Sequence, residues 1–288
     1  MKIREPVAAG QFYESSPKRL LSEIERCFTC NIGPGLPKKT SSLAQPLRGV
    51  IVPHAGYPYS GPCAAYAYKT IAEAGRFDIF ILLGPNHTGL GAEHSATCLV
   101  DWKTPLGVVS CDRDFGAELI QNTTIIDDIM PHLHEHSIEV QLPFLQFVVG
   151  TFRMVPISVS HNTHFKKLGS EIRGLIKKSK KKVCIIASSD FTHYGPNYQY
   201  IPFRKNIKEN IAKLDKGAIE NIKMLDIESL LDYADKTHIT ICGLYPILLL
   251  VEILKEDIKD VNLLKYYTSG DILKDYTNSV SYVSMSFV

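Results

Sequence analysis

Gly49-Val50-Ile51-Val52-Pro53-His54-Ala55-Gly56-Tyr57 runs four apolar residues of strand length straight into a polar turn that carries a histidine. The same sentence is written twice more. Asp78–Leu83 leads into Gly84-Pro85-Asn86-His87, and Val183–Ala187 leads into Ser188-Ser189-Asp190-Phe191-Thr192-His193. Short apolar runs bounded by Gly and Pro read as strands buried on both faces. Ala96–Val100 and Arg153–Val159 have the same character. Between them stand helical patterns over 61–74, 113–121, 137–148 and 165–177, with two more over 206–221 and 244–255. Strands alternating with helices predict a largely parallel sheet covered by helices on both faces. In such open α/β sheets, ligands bind outside the carboxyl ends of the strands, so histidines distant in sequence converge there. The alternating stretch Ser281–Val288 predicts a final strand with one face partly exposed.

The bulk composition agrees with one large α/β domain spanning residues 1–288. The chain is 45% apolar and 22% charged, the balance of an ordinary globular protein. Lys and Arg number 32 against 30 Asp and Glu, so no global field points to nucleic acid or an anionic membrane. The basic run 177–182 reads as a solvated helix end. The longest apolar stretch, Leu244–Val251, is interrupted by Pro246 and falls short of the roughly 20 residues a membrane helix needs. MKIREPVAAGQFY has no signal-peptide core, so the expected location is cytoplasmic. The stretch 31–46, rich in Gly, Pro, Ser and Lys, reads as a surface excursion.

Seven cysteines without a regular framework indicate reduced thiols. Cys27-Phe28-Thr29-Cys30 has redox spacing, but it ends a helical pattern instead of opening a helix after a strand, so it reads as structural. Cys242 differs, because Thr240-Ile241-Cys242-Gly243 precedes an apolar helix. A cysteine near a helix N-terminus is expected to favour thiolate, the form that binds metal or attacks an electrophile. His132 and His136 are spaced i, i+4, but Leu133 stands where the zinc-peptidase signature requires Glu. Glu135 and His136 therefore read as capping the following helix or orienting metal ligands. His94, His161, His164 and His238 carry no comparable context and read as structural or surface residues.

The ordered set PHAGYPYSG, LLGPNH, HEHSIEVQLPF, SSDFTHYG and ICG, with EPVAAGQFY ahead of it, resembles the Memo family. That resemblance implies a three-layer α/β/α sandwich around a twisted, largely parallel or mixed sheet, similar to the class III extradiol dioxygenases. It implies one metal ion on His54, His87 and Cys242, with Asp190 and His193 lining the same pocket. The dioxygenases use two histidines and a carboxylate; cysteine in the third place suits Fe(II) or Cu most, with Zn also compatible.

Three functions follow. The leading one is a metal-dependent redox or dioxygenase-like enzyme, with His193 as acid/base and Asp190 orienting or charge-tuning it. The second is a metal-free hydrolase with Cys242 as nucleophile and His193 or His54 as base. The third is a non-catalytic binding or adaptor protein whose pocket takes a peptide or small molecule, with Tyr57, Tyr59 and Tyr194 either lining it or packing turns.

Overall fold

The computed structural model describes residues 3–38, 46–91 and 93–288. Its strands are β1 (Ile3–Arg4), β2 (Gly49–Val52), β3 (Ile79–Gly84), β4 (Ala96–Thr97), β5 (Asp101–Thr104) and β6 (Gly107–Cys111). There follow β7 (Ile126–Asp127), β8 (Arg153–Ser158), β9 (Val183–Ser188), β10 (His193–Tyr194), β11 (Val261–Thr268) and β12 (Ser279–Phe287). The helices are α1 (Pro17–Thr29), α2 (Tyr57–Glu73), α3 (Arg113–Asn122), α4 (Met130–Leu133) and α5 (Leu142–Val149). They continue with α6 (Phe165–Ser179), α7 (Ile207–Lys223), α8 (Ile227–Thr237), α9 (Leu244–Leu254) and α10 (Ser269–Leu273).

The sheet order is β1-β5-β6-β8-β3-β9-β2-β12-β10, with β11 paired to β12 and β4 to β7 and β8. β8, β3, β9 and β2 are mutually parallel, whereas β12 joins β2 antiparallel, so the sheet is mixed around a parallel centre. Among these central strands every position but Arg153 is buried, yet the period of two still sorts them. Ile51, Ile79, Ile81, Leu83, Ile185 and Ala187 pack in one core with α3, α6, α8 and α9. Val50, Val52, Phe80, Leu82, Cys184 and Ile186 pack in the other with α1, α2 and α5. The result is a three-layer α/β/α sandwich, since each strand presents alternate side chains to opposite helical layers. Each fully buried Val, Leu or Ile contributes about 1.5–3 kcal/mol of apolar burial.

The element boundaries differ from the sequence expectation in instructive places. The helix expected over 137–148 begins at Leu142, after a 3-10 turn at Glu139–Gln141. Pro143 accounts for this, because proline is accommodated in a first helical turn and would break a ladder already six residues long. The expected strand 96–100 pairs over Ala96–Thr97 alone. β12 is buried along its whole length, not exposed on one face. Its serines are small enough to lie under α2, where Ser284 Oγ donates to Cys63 O at 2.6 Å. The Cys27 thiol packs against Gly61, where any Cβ would fall 2.4 Å from the sulfur, and burial pushes that thiol up to about 12. Of the stretch 31–46, residues 39–45 lie outside the described residues. Pro34 and Lys38 bond Lys69 and Glu73 near the C-terminal end of α2, the opposite end from His54.

The N-terminal EPVAAGQFY is a strap tied to residues 132–139. Buried Arg4 donates to His132 O (2.7 Å), Glu135 O (2.6 Å) and Glu139 Oε2 (2.5 Å), and its guanidinium lies 4.1 Å from the Trp102 ring centroid. Glu139 also accepts from Val7 N, Ala8 N and the Tyr13 hydroxyl. Every polar atom of this ion pair is thereby engaged, which is the condition under which a buried pair is tolerated. Removing one partner leaves a buried charge alone. Glu139→Ala is expected to cost about 3–5 kcal/mol in urea unfolding; a change within about 0.5 kcal/mol, the range of a surface substitution, would show that the strap is not held by this pair.

Candidate metal centre

Because β2, β9, β3 and β8 run parallel, the turns after them leave from one edge. His54 follows β2, His87 follows β3 and Asp190 follows β9. Cys242 reaches the same edge from the turn before α9. Gly243 permits this, since a Cβ there would sit 2.4 Å from Ser188 O and Ser189 Cβ. His54, His87 and Cys242 each place a ligand atom within 4.8 Å of the others, as do Asp190, His193 and Cys242, and His87, Glu135 and His136. His54 Nε2 lies 3.1 Å from Cys242 Sγ.

The hydrogen bonds settle which imidazole nitrogens face the centre. Gln141 Nε2 donates to Ser188 Oγ (2.7 Å) and Pro53 O (3.1 Å), and its orientation is locked by Tyr68, whose hydroxyl donates to Gln141 Oε1 at 2.5 Å. Ser188 gives its one proton to Ser137 O at 2.6 Å. Ser188 Oγ, 3.0 Å from His54 Nδ1, can therefore only accept from it. His54 thus carries its proton on Nδ1 and presents a bare Nε2 to Cys242. His87 Nδ1 lies 3.0 Å from Glu135 Oε1, and His193 Nδ1 lies 3.0 Å from Thr240 O. A carboxylate and a carbonyl only accept, so these two histidines also keep Nε2 free. Three imidazoles with the distal nitrogen free, each braced through Nδ1, form the arrangement typical of metal-binding histidine.

Glu135 takes the orienting role expected for it. It also accepts from the backbone of His87 (2.6 Å) and Ser137 (2.9 Å). Burial alone would raise its carboxyl, but the hydrogen bond from His87, with that from the Ser137 backbone, outweighs this and holds it at about 2. Its oxygens are already engaged, so the His87–Glu135–His136 group is a bracing cluster more than a vacant chelate. Phe12 from the strap stacks on His136 at 4.2 Å, and His136 stacks on His87 at 5.0 Å.

Two expectations change. Asp190 does not hydrogen-bond His193; its Oδ1 accepts from the backbone of His54 (2.9 Å) and Ala55 (3.4 Å), while Thr240 orients His193. The His193 charge acts on the Asp190 carboxyl, which burial nonetheless raises. The Cys242 thiol is driven well above its ordinary value by burial and by the Asp190 carboxylate, so the nearby start of α9 does not make it a thiolate in the metal-free chain. Tyr57 and Tyr194 prove to be packing residues, bonded to Val140 O and Phe203 O. Sequence reading missed Ser188, Gln141 and Thr240. It also missed Asp215 on α7, whose Oδ1 accepts from Thr192 N and Thr192 Oγ1 and so fixes the loop carrying His193. For Ser188 and Gln141 a signal existed, since both stand inside the motifs SSDFTHYG and HEHSIEVQLPF.

An α/β/α sandwich with histidines and a cysteine gathered at its carboxyl edge defines a class of possible metalloproteins, and the comparisons narrow it. A family model described as Memo-like protein matches residues 4–286, and the chain belongs to the Memo family. It is 38% identical over 289 residues to a MEMO1 family protein of Methanopyrus kandleri, covering 99% of this chain and 98% of that protein. It is 40% identical over 292 residues to a MEMO1 family protein of Sulfolobus acidocaldarius, with 99% of each chain covered. The crystal structure of the uncharacterized protein JW3007 from Escherichia coli K12 shares the fold, with a TM-score of 0.54 at 11% identity over 84% of this chain and 100% of that one. No helix among the described residues is long and apolar enough to cross a membrane.

Burial, reinforced by neighbouring imidazoles, holds His54 well below its ordinary value and His136 at about 4; burial holds His132 at about 4. In the unfolded chain these groups protonate near about 6.5. Their folded values are depressed, so the unfolded chain binds more protons between those limits. Stability is therefore expected to be full above about pH 6.5 and to fall toward pH 4, by on the order of 1.4 kcal/mol per pH unit per histidine. Urea midpoints across this range check it, and a flat profile would mean that these imidazoles protonate in place.

Proposed function

We propose that this Memo-family protein holds one metal ion on His54 Nε2, His87 Nε2 and Cys242 Sγ and is a metal-dependent redox or dioxygenase-like enzyme. The observation that carries this reading is the donor set, three ligand atoms within 4.8 Å of one another with both imidazoles held in the ligating tautomer. Two imidazoles and a thiolate form a set of intermediate softness, suited to Fe(II) or Cu and compatible with Zn. When bound, such an ion supplies electron transfer or Lewis-acid polarisation at open coordination positions.

The chain contributes orientation and proton handling. Glu135 and Ser188 hold the two histidines by their Nδ1 protons. His193, with its Nδ1 proton committed to Thr240 O, offers Nε2 to accept a proton from a ligand beside Cys242. Asp190 braces the backbone of His54 and places a carboxylate next to His193. The raised Cys242 thiol disfavours the metal-free hydrolase, because the sulfur stays protonated until a cation displaces the proton.

Protein purified without an affinity tag, under reducing and anaerobic conditions, is expected to carry about one equivalent of iron or copper, leaving coordination positions open as in non-haem iron sites. His54→Ala, His87→Ala and Cys242→Ala should each lose it by elemental analysis. No metal in the parent protein after reconstitution would overturn the proposal. Glu135→Gln is expected to weaken metal binding roughly 10- to 100-fold, as loss of a bracing partner does. Affinity measured by competition with a chelator should fall as pH is lowered, since ligation expels the thiol proton.

A further inference from the structure

His87 and Cys242 also line a cavity of about 310 Å³. His193 is not among its lining residues. Its remaining walls include Glu93 and His94 from the loop after β3, His161 from the loop after β8, and Tyr245 from the first turn of α9. The volume is at the lower end for small-molecule sites, enough for one ring with its substituents.

The hydrogen-bonding capacity of this lining is unevenly used. Asn86 is spent on its own loop, donating to Leu90 O and accepting from Thr88 Oγ1 and Gly89 N. Ser160 Oγ donates to Glu93 O. By contrast, His94, His161 and the Tyr245 hydroxyl have no side-chain hydrogen bond to another described residue. The Tyr245 ring itself is held firmly, stacked on Phe165 at 5.9 Å and beside His161 at 6.1 Å. The cavity therefore offers the Tyr245 ring as an aromatic wall, two imidazoles and a phenol as uncommitted donors, and His87 and Cys242. Glu93 is the single acid of the lining, and its exposure to water weakens its field.

We propose that this cavity is a ligand subsite for a small carboxylate with a ring-sized body. The carboxylate accepts from His94 and His161, and the ring packs on Tyr245. The other end reaches His87 and Cys242. An ionised acceptor is favoured because hydrogen bonds to it are roughly twice as strong as those between neutral groups. Only the contact at the His87–Cys242 end rests on the metal reading above; the carboxylate end stands on the cavity lining.

Benzoate and its uncharged analogue benzyl alcohol are titrated by NMR into metal-free and zinc-loaded tag-free protein, with zinc content measured separately. Benzoate is expected to bind about tenfold more tightly than benzyl alcohol, as for one charge-assisted contact. The double variant His94→Ala/His161→Ala should lose that margin without weakening benzyl alcohol, and Tyr245→Leu should weaken both ligands. Both histidines are exposed, so their replacement leaves the core intact. Failure of benzoate to bind, equal affinity for the two ligands, or indifference to the double variant would each overturn the subsite. Benzoate binding by protein that retains neither zinc nor, after anaerobic reconstitution, iron or copper would leave the subsite standing and sink the metal reading instead.

Discussion

Parallel pairing of four strands is the constraint from which the rest of this molecule follows. Val52 lies opposite Ser188, Leu83 opposite Ala187 and Gly84 opposite Ser158, so four chains leave the sheet at one level and on one edge. Buried parallel strands need helices on both faces, which sets the three layers. They also bring His54, His87 and Asp190 together without any local sequence relation among them. A register slip of one residue in β2 would turn Ile51 from one core to the other and carry His54 away from the edge.

A second layer of organisation comes from residues 132–141, which serve as the keystone between strap, sheet and centre. This segment supplies Glu135 to His87, His136 to the stacked rings, Glu139 to Arg4 and the strap, and Gln141 to Ser188. Burying so many polar groups is costly unless each is satisfied. Here Glu135, Glu139 and Gln141 are satisfied reciprocally, although His132 Nδ1 is buried without a partner, and the network also specifies imidazole tautomers at the candidate metal centre. The delayed start of α5 belongs to the same design, because a tight turn at Ser137–Ile138 packs the segment against Gly84 and Pro85.

The cysteine in the third position gives the centre its character. Half-buried beside the Asp190 carboxylate, the thiol resists ionisation, so the metal-free pocket is poor at nucleophilic chemistry. A cation changes the balance by taking the place of the proton. This couples the proposed ion to the sulfur more tightly than a carboxylate ligand would, since a carboxylate is ordinarily ionised beforehand.

Strand-to-turn sentences such as Gly49–Tyr57 and Asp78–His87 carry their own secondary structure and placement, so the layered fold and the convergence of the strand-end histidines were legible from residue order and apolar period, whereas the grouping of Cys242 with His54 and His87 came from the family resemblance. What surrounds those residues was not. That Gln141 and Ser188 brace His54, that Thr240 rather than Asp190 orients His193, and that His94 and His161 line a cavity depend on contacts between segments tens of residues apart. β12 makes the same point, for its serine-rich alternation reads as a half-exposed strand until α2 and β11 are seen to cover it. Periodicity reports how one segment divides between apolar and polar surroundings; which surroundings those are, and whether a thiol beside a helix is charged or neutral, is decided only when the tertiary packing sets burial and neighbours.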